Sequence, residues 1–193
     1  MDHATGGLVQ ENKLLICGGS DKSSIVRQEC YLATKDGIAN VVNMTTARHA
    51  SSSVVHNQDL LVFGGQDSNN NGIHTIERVS IATNSSEIIG EMPVTYNHGC
   101  VLSYEQDSIV AISGVQDGRQ SPAIWMSTFS NLTTWRGWTR GPNLDYGRSW
   151  FGCALLETLK MAVVAGGESS PTEMSSELIL LNENKVVAGK KCF

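Results

Sequence analysis

Short apolar runs recur along the chain, and most are separated by turn-forming residues. Residues 48–65 read RHASSSVVHNQDLLVFGG, in which two apolar runs flank a polar tip and the second run ends at Gly64-Gly65. Apolar runs of this length, bounded by Gly, Asn, Asp and Ser, are typical of β-strands joined in hairpins. The pattern therefore predicts antiparallel strands.

The same pattern repeats along the whole chain. Residues 3–19 align with residues 49–65 at an offset of 46 without a gap, and seven of the seventeen positions are identical. Residues 99–114 align with residues 152–167 at an offset of 53. Self-similarity at a period of roughly 20–50 residues is the signature of a repeat architecture. We predict a single domain, 1–193, with repeats at 1–46, 47–94, 95–146 and 147–193.

The second repeat shows best what one unit contains. Four strand-length segments lie at residues 51–55, 59–65, 75–82 and 86–92, and the third alternates as a half-buried strand would. No capped run of helical periodicity exceeds two turns. Four short strands cannot bury both faces of their sheet alone, so the units must stack. The sequence predicts an all-β fold, a β-propeller of four-stranded blades with about four blades in this chain.

A glycine doublet, or Ser113-Gly114 in one unit, ends the second strand of each repeat. Glycine allows positive φ and close backbone approach where the chain leaves a sheet. The predicted structural-turn residues are Gly18, Gly19, Gly64, Gly65, Gly114, Gly166 and Gly167.

Together these residues resemble the kelch repeat. The second repeat has Arg48 before its first strand, LLVFGG as its second strand and Met92-Pro93 at its close, and the third has Trp138 ahead of Gly141-Pro142. The resemblance implies kelch-type blades. Four repeats are fewer than the five to seven blades usual in that family, so the alternatives are a fragment, a shortened gene model, an open arc, or a ring closed by another copy.

The resemblance also implies a binding face, formed by the residue before the first strand and the loop after the doublet. The candidate partner-binding residues are Arg48, Arg148, Asp67, Asn69, Asn70, Asn71, Asp117 and Arg119. Arginine binds carboxylates through two parallel hydrogen bonds, which favours a protein or peptide partner with acidic contacts. For both repeated arginines, a hydrogen bond that holds the scaffold together is an alternative role.

The tryptophans allow two interpretations as well. Trp125, Trp135, Trp138 and Trp150 are expected mainly to pack between blades, and the alternative is that they anchor a partner.

The resemblance favours a non-catalytic protein-interaction module, for example the substrate-recognition part of a larger adaptor. The alternative is a carbohydrate-active kelch-type enzyme, either a copper radical oxidase or a sugar isomerase. An oxidase needs two Tyr, two His and a Cys in one site. His3 and His49 occupy equivalent repeat positions, which favours a structural role for them. No cofactor is expected.

Composition narrows the classes of partner. The net charge of −5, with no concentrated basic stretch, argues against nucleic acid. No apolar run has the length of a membrane-spanning helix, so no membrane association is expected. Unclosed blades would expose apolar faces and strand edges, which predicts self-association if the ring is incomplete.

The start of the chain and its cysteines both indicate the cellular compartment of the protein. The chain begins without a secretory signal, which favours a cytoplasmic protein, or an extracellular one if the N-terminus is truncated. The five cysteines show no metal-ligand spacing, and we interpret them as reduced, buried thiols. The alternative is disulfides in an extracellular protein.

Overall fold

Strands dominate the computed structural model, which describes residues 2–10, 13–129, 135–169 and 175–191. The chain divides into two compact units, Met1–Asn97 (unit 1) and His98–Phe193 (unit 2). The strands of unit 1 are β1 Thr5–Gln10, β2 Lys13–Cys17, β3 Glu29–Thr34, β4 Gly37–Asn43, β5 Ser52–His56, β6 Asp59–Phe63, β7 Thr75–Ser80, β8 Ser85–Glu91 and β9 Tyr96–Asn97.

Unit 2 continues the same succession of short strands. They are β10 Cys100–Tyr104, β11 Ser108–Ile112, β12 Val115–Gln116, β13 Arg119–Gln120, β14 Ala123–Phe129, β15 Trp135–Asn143, β16 Arg148–Ser149, β17 Gly152–Leu156, β18 Met161–Ala165, β19 Glu168–Ser169, β20 Ser175–Leu180 and β21 Lys185–Lys191. A 3₁₀ turn, Glu157–Leu159, lies between β17 and β18. The described residues contain no helix long and apolar enough to cross a membrane.

Four antiparallel sheets of four strands form the blades. Blade 1 is β1-β2-β3-β4, blade 2 is β5-β6-β7-β8, blade 3 is β10-β11-β14-β15 and blade 4 is β17-β18-β20-β21. In every blade, neighbouring strands follow one another along the chain, and each blade lies inside one predicted repeat. The predicted all-β fold of kelch-type, four-stranded blades is confirmed.

The prediction for blade 2 was right in its strands and wrong in one burial pattern. The four observed strands, β5 to β8, coincide with the predicted segments within a few residues. The third strand, β7, is not half-buried, because Glu77 and Val79 are buried on one face and Ile76 is buried on the other. The alternation of apolar and polar residues did not predict burial here, because a central strand in a stack of sheets has both faces covered. Polar residues are therefore buried along with apolar ones.

Each unit has its own core, built where its two blades pack face to face. In unit 1, Val9, Leu15 and Cys17 of blade 1 pack with Leu60, Val62 and Val79 of blade 2. In unit 2, Val110, Ile112 and Ile124 of blade 3 pack with Ala162, Val164 and Ile179 of blade 4. Within each unit the blades therefore stack as the repeat pattern predicted.

The doublet has the predicted geometry in blade 2. Gly64 and Gly65 have φ values of 60° and 106°, a region that L residues rarely adopt. A Cβ on Gly64 would lie 2.0 Å from the Tyr96 carbonyl oxygen, so the glycine is also required by close approach. The exception, Ser113, takes the same left-handed conformation at φ 49°. Its hydroxyl accepts a hydrogen bond of 2.9 Å from the Arg148 amide, which accounts for serine at this position.

Gly64→Ala and Gly166→Ala separate these two requirements. Both are the first glycine of a doublet, but Gly166 at φ 71° has open space where its Cβ would be. We expect Gly166→Ala to cost about 1 kcal/mol for the left-handed conformation alone. Gly64→Ala should cost about 2–4 kcal/mol, because the backbone must also shift. Urea unfolding of both variants measures the difference; equal losses would mean that close approach contributes nothing.

Four cysteines form disulfides, and the interpretation as reduced thiols is corrected for them. Cys17–Cys30 joins the neighbouring strands β2 and β3, where the two residues are register partners with Cα atoms 4.1 Å apart. Cys100–Cys153 joins β10 of blade 3 to β17 of blade 4, with Cα atoms 6.4 Å apart. Both pairings depend on strand register and blade stacking, which cysteine spacing does not reveal. Cys192 lies outside the described residues.

Candidate functional site

The segment before the first strand of a blade lies beside the loop that follows the doublet. His49 and Gln66 exchange two backbone hydrogen bonds of 3.1 and 2.9 Å, and Asp2 and Ser20 exchange two of 2.8 Å. In blade 4 the same contact is the short ladder Arg148↔Ser169 and Ser149↔Glu168. We call this surface of each unit the loop face. Its two components are adjacent as the sequence predicted, and partner docking on it remains a prediction.

The two repeated arginines turn away from the loop face into the interior. Arg48 is fully buried; its Nη1 donates to the Gly64 carbonyl at 2.9 Å, and its Nη2 donates to Glu77 Oε2 at 2.7 Å. Arg148, 1% exposed, repeats this arrangement with the Gly166 carbonyl at 3.1 Å and Glu177 Oε1 at 2.5 Å. Each arginine thus fixes the carbonyl of its own doublet glycine.

The glutamates complete the arrangement. Glu77 Oε1 accepts hydrogen bonds from the Thr45 amide and from the Ser86 hydroxyl, and Glu177 Oε2 accepts one of 2.7 Å from the Asp145 amide. Each carboxylate therefore connects the third strand of its blade to the segment that enters the repeat. Charge-assisted hydrogen bonds of this kind offset the cost of burying both ions.

Burial favours the scaffold role that the sequence left open for Arg48 and Arg148. Burial lowers the pKa of the Arg48 guanidinium, and attraction to the Glu77 carboxylate acts in the opposite direction. With both charges paired inside the blade, neither guanidinium reaches the surface of the folded protein.

Sequence reasoning missed Glu77 and Glu177, although a signal was present. Each lies 29 residues after its arginine, so both halves of the pair repeat together. Strand register places Tyr31 of blade 1 and Trp125 of blade 3 at the same position, opposite Ile16 and Ala111. The charged pair therefore occurs in alternate blades, one in each unit.

The polar loop of blade 2 is an exposed, self-contained turn. Asp67 Oδ1 accepts hydrogen bonds from the amides of Asn69 (2.8 Å) and Asn71 (2.9 Å), and Oδ2 accepts one of 3.0 Å from Asn71 Nδ2. The Asn71 hydrogen bonds hold the pKa of Asp67 below its usual value. The carboxylate is used within the loop, whereas the side chains of Asn69, Asn70 and Asn71 are exposed on the loop face.

The corresponding loop of blade 3 is a hairpin instead. Strands β12 and β13 pair directly, and Asp117 and Gly118 at the tip have φ values of 48° and 78°, as a type I′ turn requires. Asp117 and Arg119 are exposed. Gln120 Nε2 donates to the Ser149 hydroxyl at 2.9 Å and to the Glu168 carbonyl at 3.2 Å, which fixes the hairpin beside the segment before β17.

A left-handed residue recurs two positions before the first strand of all four blades, and none of the four is glycine. They are His3 (φ 57°), Ala50 (54°), His98 (51°) and Trp150 (60°). The Ala50 amide donates to the His3 carbonyl at 3.0 Å, and the Trp150 amide donates to the His98 carbonyl at 3.2 Å. Strained positions of this kind concentrate at binding sites. The residue types at these four positions do not form a pattern from which the left-handed conformation could have been predicted.

In unit 2 this position presents an aromatic pair on the loop face. The rings of His98 and Trp150 stack with centroids 3.9 Å apart, and Trp150 is 50% exposed. In unit 1, the rings of His3 and His49 lie 6.2 Å apart. Burial and the nearby His3 lower the pKa of His49, while Asp67 acts in the opposite direction. The two units therefore present different side chains on this face, because unit 1 has Ala50 at the position of Trp150.

The other tryptophans are placed differently. Trp125 is half-buried, donates from Nε1 to Gln116 Oε1 at 3.2 Å and lies under the Arg140 guanidinium at 5.2 Å. Trp138 is also half-buried, and the side chain of Trp135 lies outside the described residues. Exposure thus singles out Trp150 among the three described side chains as the one that fits a partner anchor.

Nothing in the described ranges brings three His, Cys, Asp or Glu side chains together as a metal site.

Residues 47–93, the second repeat, match the family model of the kelch motif. No curated protein matches the chain. Kelch motifs generally form protein-interaction repeats rather than catalytic domains. This match and the four-stranded antiparallel blades together support a kelch-type repeat fold for the chain.

Proposed function

We propose that the chain is a non-catalytic interaction module that docks a protein or peptide partner on the loop face of unit 2. The observation that carries this proposal is Trp150, a half-exposed tryptophan held in a left-handed conformation and stacked on His98. Tryptophan is enriched among the residues that dominate binding energy. Because backbone and stacking fix this ring in advance, binding would order little that is not already ordered.

An exposed arginine on the neighbouring hairpin indicates the chemistry of the partner. Gln120 holds the β12–β13 hairpin against the segment that carries Trp150, and exposed Arg119 precedes Gln120 directly. An exposed guanidinium and an exposed indole on the same face suit a segment that pairs an apolar side chain with a carboxylate. In unit 1, the exposed side chains of Asn69, Asn70 and Asn71 supply neutral donors and acceptors. Such a module fits the substrate-recognition part of a larger adaptor.

Trp150→Ala should weaken binding while leaving the fold unchanged. Peptides selected from a random displayed library against the purified chain would serve as probes, with affinities measured by fluorescence anisotropy. We expect Trp150→Ala to weaken binding about 30-fold, equivalent to the roughly 2 kcal/mol of a binding hot spot. Arg119→Ala should cost less, and its effect should shrink as salt screens the charge.

Leu159→Ala is the matched control. Leu159 is 63% exposed and lies beyond the far end of β17, whereas Trp150 precedes the near end of that strand. The peptide affinity and melting temperature of the Leu159→Ala variant should equal those of the wild type. If Trp150→Ala and Leu159→Ala bind equally well, the docking site is not on this face.

The two disulfides support an extracytoplasmic location, which we propose in place of the cytoplasmic one expected from sequence. Structural disulfides persist in oxidising compartments and are rare in the cytosol. A cytoplasmic protein would carry Cys17, Cys30, Cys100 and Cys153 as thiols. Their state in protein taken from its native source, trapped by alkylation, therefore decides between the two locations.

A further inference from the structure

Blade 1 carries an exposed apolar row on the side that faces away from blade 2. Leu8, Leu14, Ala33 and Ile38 are register partners across all four strands, so their side chains share one face of the sheet. Leu8 is 67%, Leu14 37% and Ile38 70% exposed. We call this row the first-blade face.

Blade 4 carries a corresponding row on the side that faces away from blade 3. Ala154, Val163, Leu178 and Val187 are register partners across its four strands. Leu156, two residues after Ala154 and hence on the same face, is 42% exposed, and Val187 is 36% exposed. We call this row the last-blade face. Both rows consist of apolar residues alone.

The first-blade face corresponds to a surface that is buried in the other blades. The residue four positions before the doublet lies on the side of the sheet toward the preceding blade. It is Leu60 in blade 2 and Ala162 in blade 4, both 0% exposed, and each packs against the other blade of its unit. The equivalent residue in blade 1 is Leu14. The first-blade face is therefore half of a blade-to-blade interface.

The last-blade face is the other half. The residue three positions before the doublet lies on the side toward the following blade; it is Leu15 in blade 1 and Val110 in blade 3, both 0% exposed and packed in their unit cores. The equivalent residue in blade 4 is Val163, which is partly exposed. One chain therefore carries both complementary halves of the interface that pairs its own blades.

We propose that the last-blade face of one copy of this chain binds the first-blade face of a second copy. The contact continues the blade-to-blade packing seen inside each unit, with the same strand positions on each side. Leaving two uncharged apolar rows in water is unfavourable, and pairing them removes both from solvent. The contact is heterologous, so repetition closes a ring or propagates a filament.

Face variants of the full chain test this directly. Wild-type chain is expected to sediment as more than a monomer, with a mass that rises with concentration. Ile38→Lys damages the first-blade face and Leu156→Lys the last-blade face, and each should weaken association at least ~100-fold because an unpaired lysine would be buried. Ile88→Lys, at a 50% exposed position on the outer strand β8, should associate as the wild type does.

Mixing the two damaged variants distinguishes the head-to-tail contact from other modes. The Ile38→Lys variant keeps an intact last-blade face, and the Leu156→Lys variant keeps an intact first-blade face. An equimolar mixture should therefore form one-to-one dimers and nothing larger. If two identical faces paired instead, the variant that is damaged only in the other face would still associate as the wild type does. That result would overturn the proposal. A monomeric wild type, or a mixture that stays monomeric, would overturn it as well. Melting temperatures identify any variant that fails to fold, for which Leu8→Gln and Val187→Gln are the replacements.

Discussion

Glu77→Gln is expected to lower the free energy of unfolding of unit 1 by about 3–5 kcal/mol, although the two side chains have nearly the same shape. The substitution leaves the Arg48 guanidinium buried without its counter-ion, in a place where neither side chain has any exposed surface. It also weakens the hydrogen bonds that connect β7 to the Thr45 amide. Urea unfolding monitored by circular dichroism measures the loss, because all four tryptophans belong to unit 2 and their fluorescence does not report on unit 1.

A partly exposed ion pair on the same strand provides the control. Arg78 pairs with Glu87 across β7 and β8, where Glu87 is 53% exposed. Glu87→Gln should cost less than about 1 kcal/mol, as exposed pairs do. Equal losses for Glu77→Gln and Glu87→Gln would show that burial of the first pair has no energetic consequence, and the scaffold role of Arg48 would be abandoned. Glu177→Gln should reproduce the Glu77→Gln effect in unit 2.

Removing the disulfide between blades 3 and 4 should have an effect of similar size. Cys100→Ala with Cys153→Ala opens a loop with a sequence separation of 53, and the chain-entropy relation gives a loss of about 4 kcal/mol. The bond joins the first strands of the two blades, so we expect unit 2 to unfold at lower denaturant concentration. Peptide mapping under non-reducing conditions establishes the bond before the stability measurement.

The second disulfide gives an internal comparison. Cys17 and Cys30 are separated by 13 residues, for which the same relation gives about 3 kcal/mol. Cys17→Ala with Cys30→Ala should therefore destabilise unit 1 by less than the other double variant destabilises unit 2. Recovery of Cys100 and Cys153 as separate alkylated thiols would contradict the bond, and a loss below about 1 kcal/mol would contradict its structural role.

The sequence by itself determined the strands, the repeat and the turns. Apolar runs bounded by turn formers located β5 to β8 within a few residues, because hydrophobic pattern and turn chemistry are local properties. The doublets Gly64-Gly65 and Gly166-Gly167 were identified as turns because left-handed backbone strongly selects glycine. The position of the polar loop 67–72 also followed from composition. These features need no knowledge of which residues meet across the fold.

Only the tertiary structure decided what the functional candidates contact. The position of Arg48 in the repeat predicts a role at the protein surface. The side chain is buried instead, because it pairs with Glu77, which lies 29 residues away, and this pairing depends on strand register. Cys100 meets Cys153 because two blades stack, and no spacing rule anticipates that. Trp150 is presented outward by a left-handed backbone that its residue type does not favour. Burial, pairing and exposure arise from contacts between distant segments, so a one-dimensional pattern identifies the candidates but cannot assign their roles.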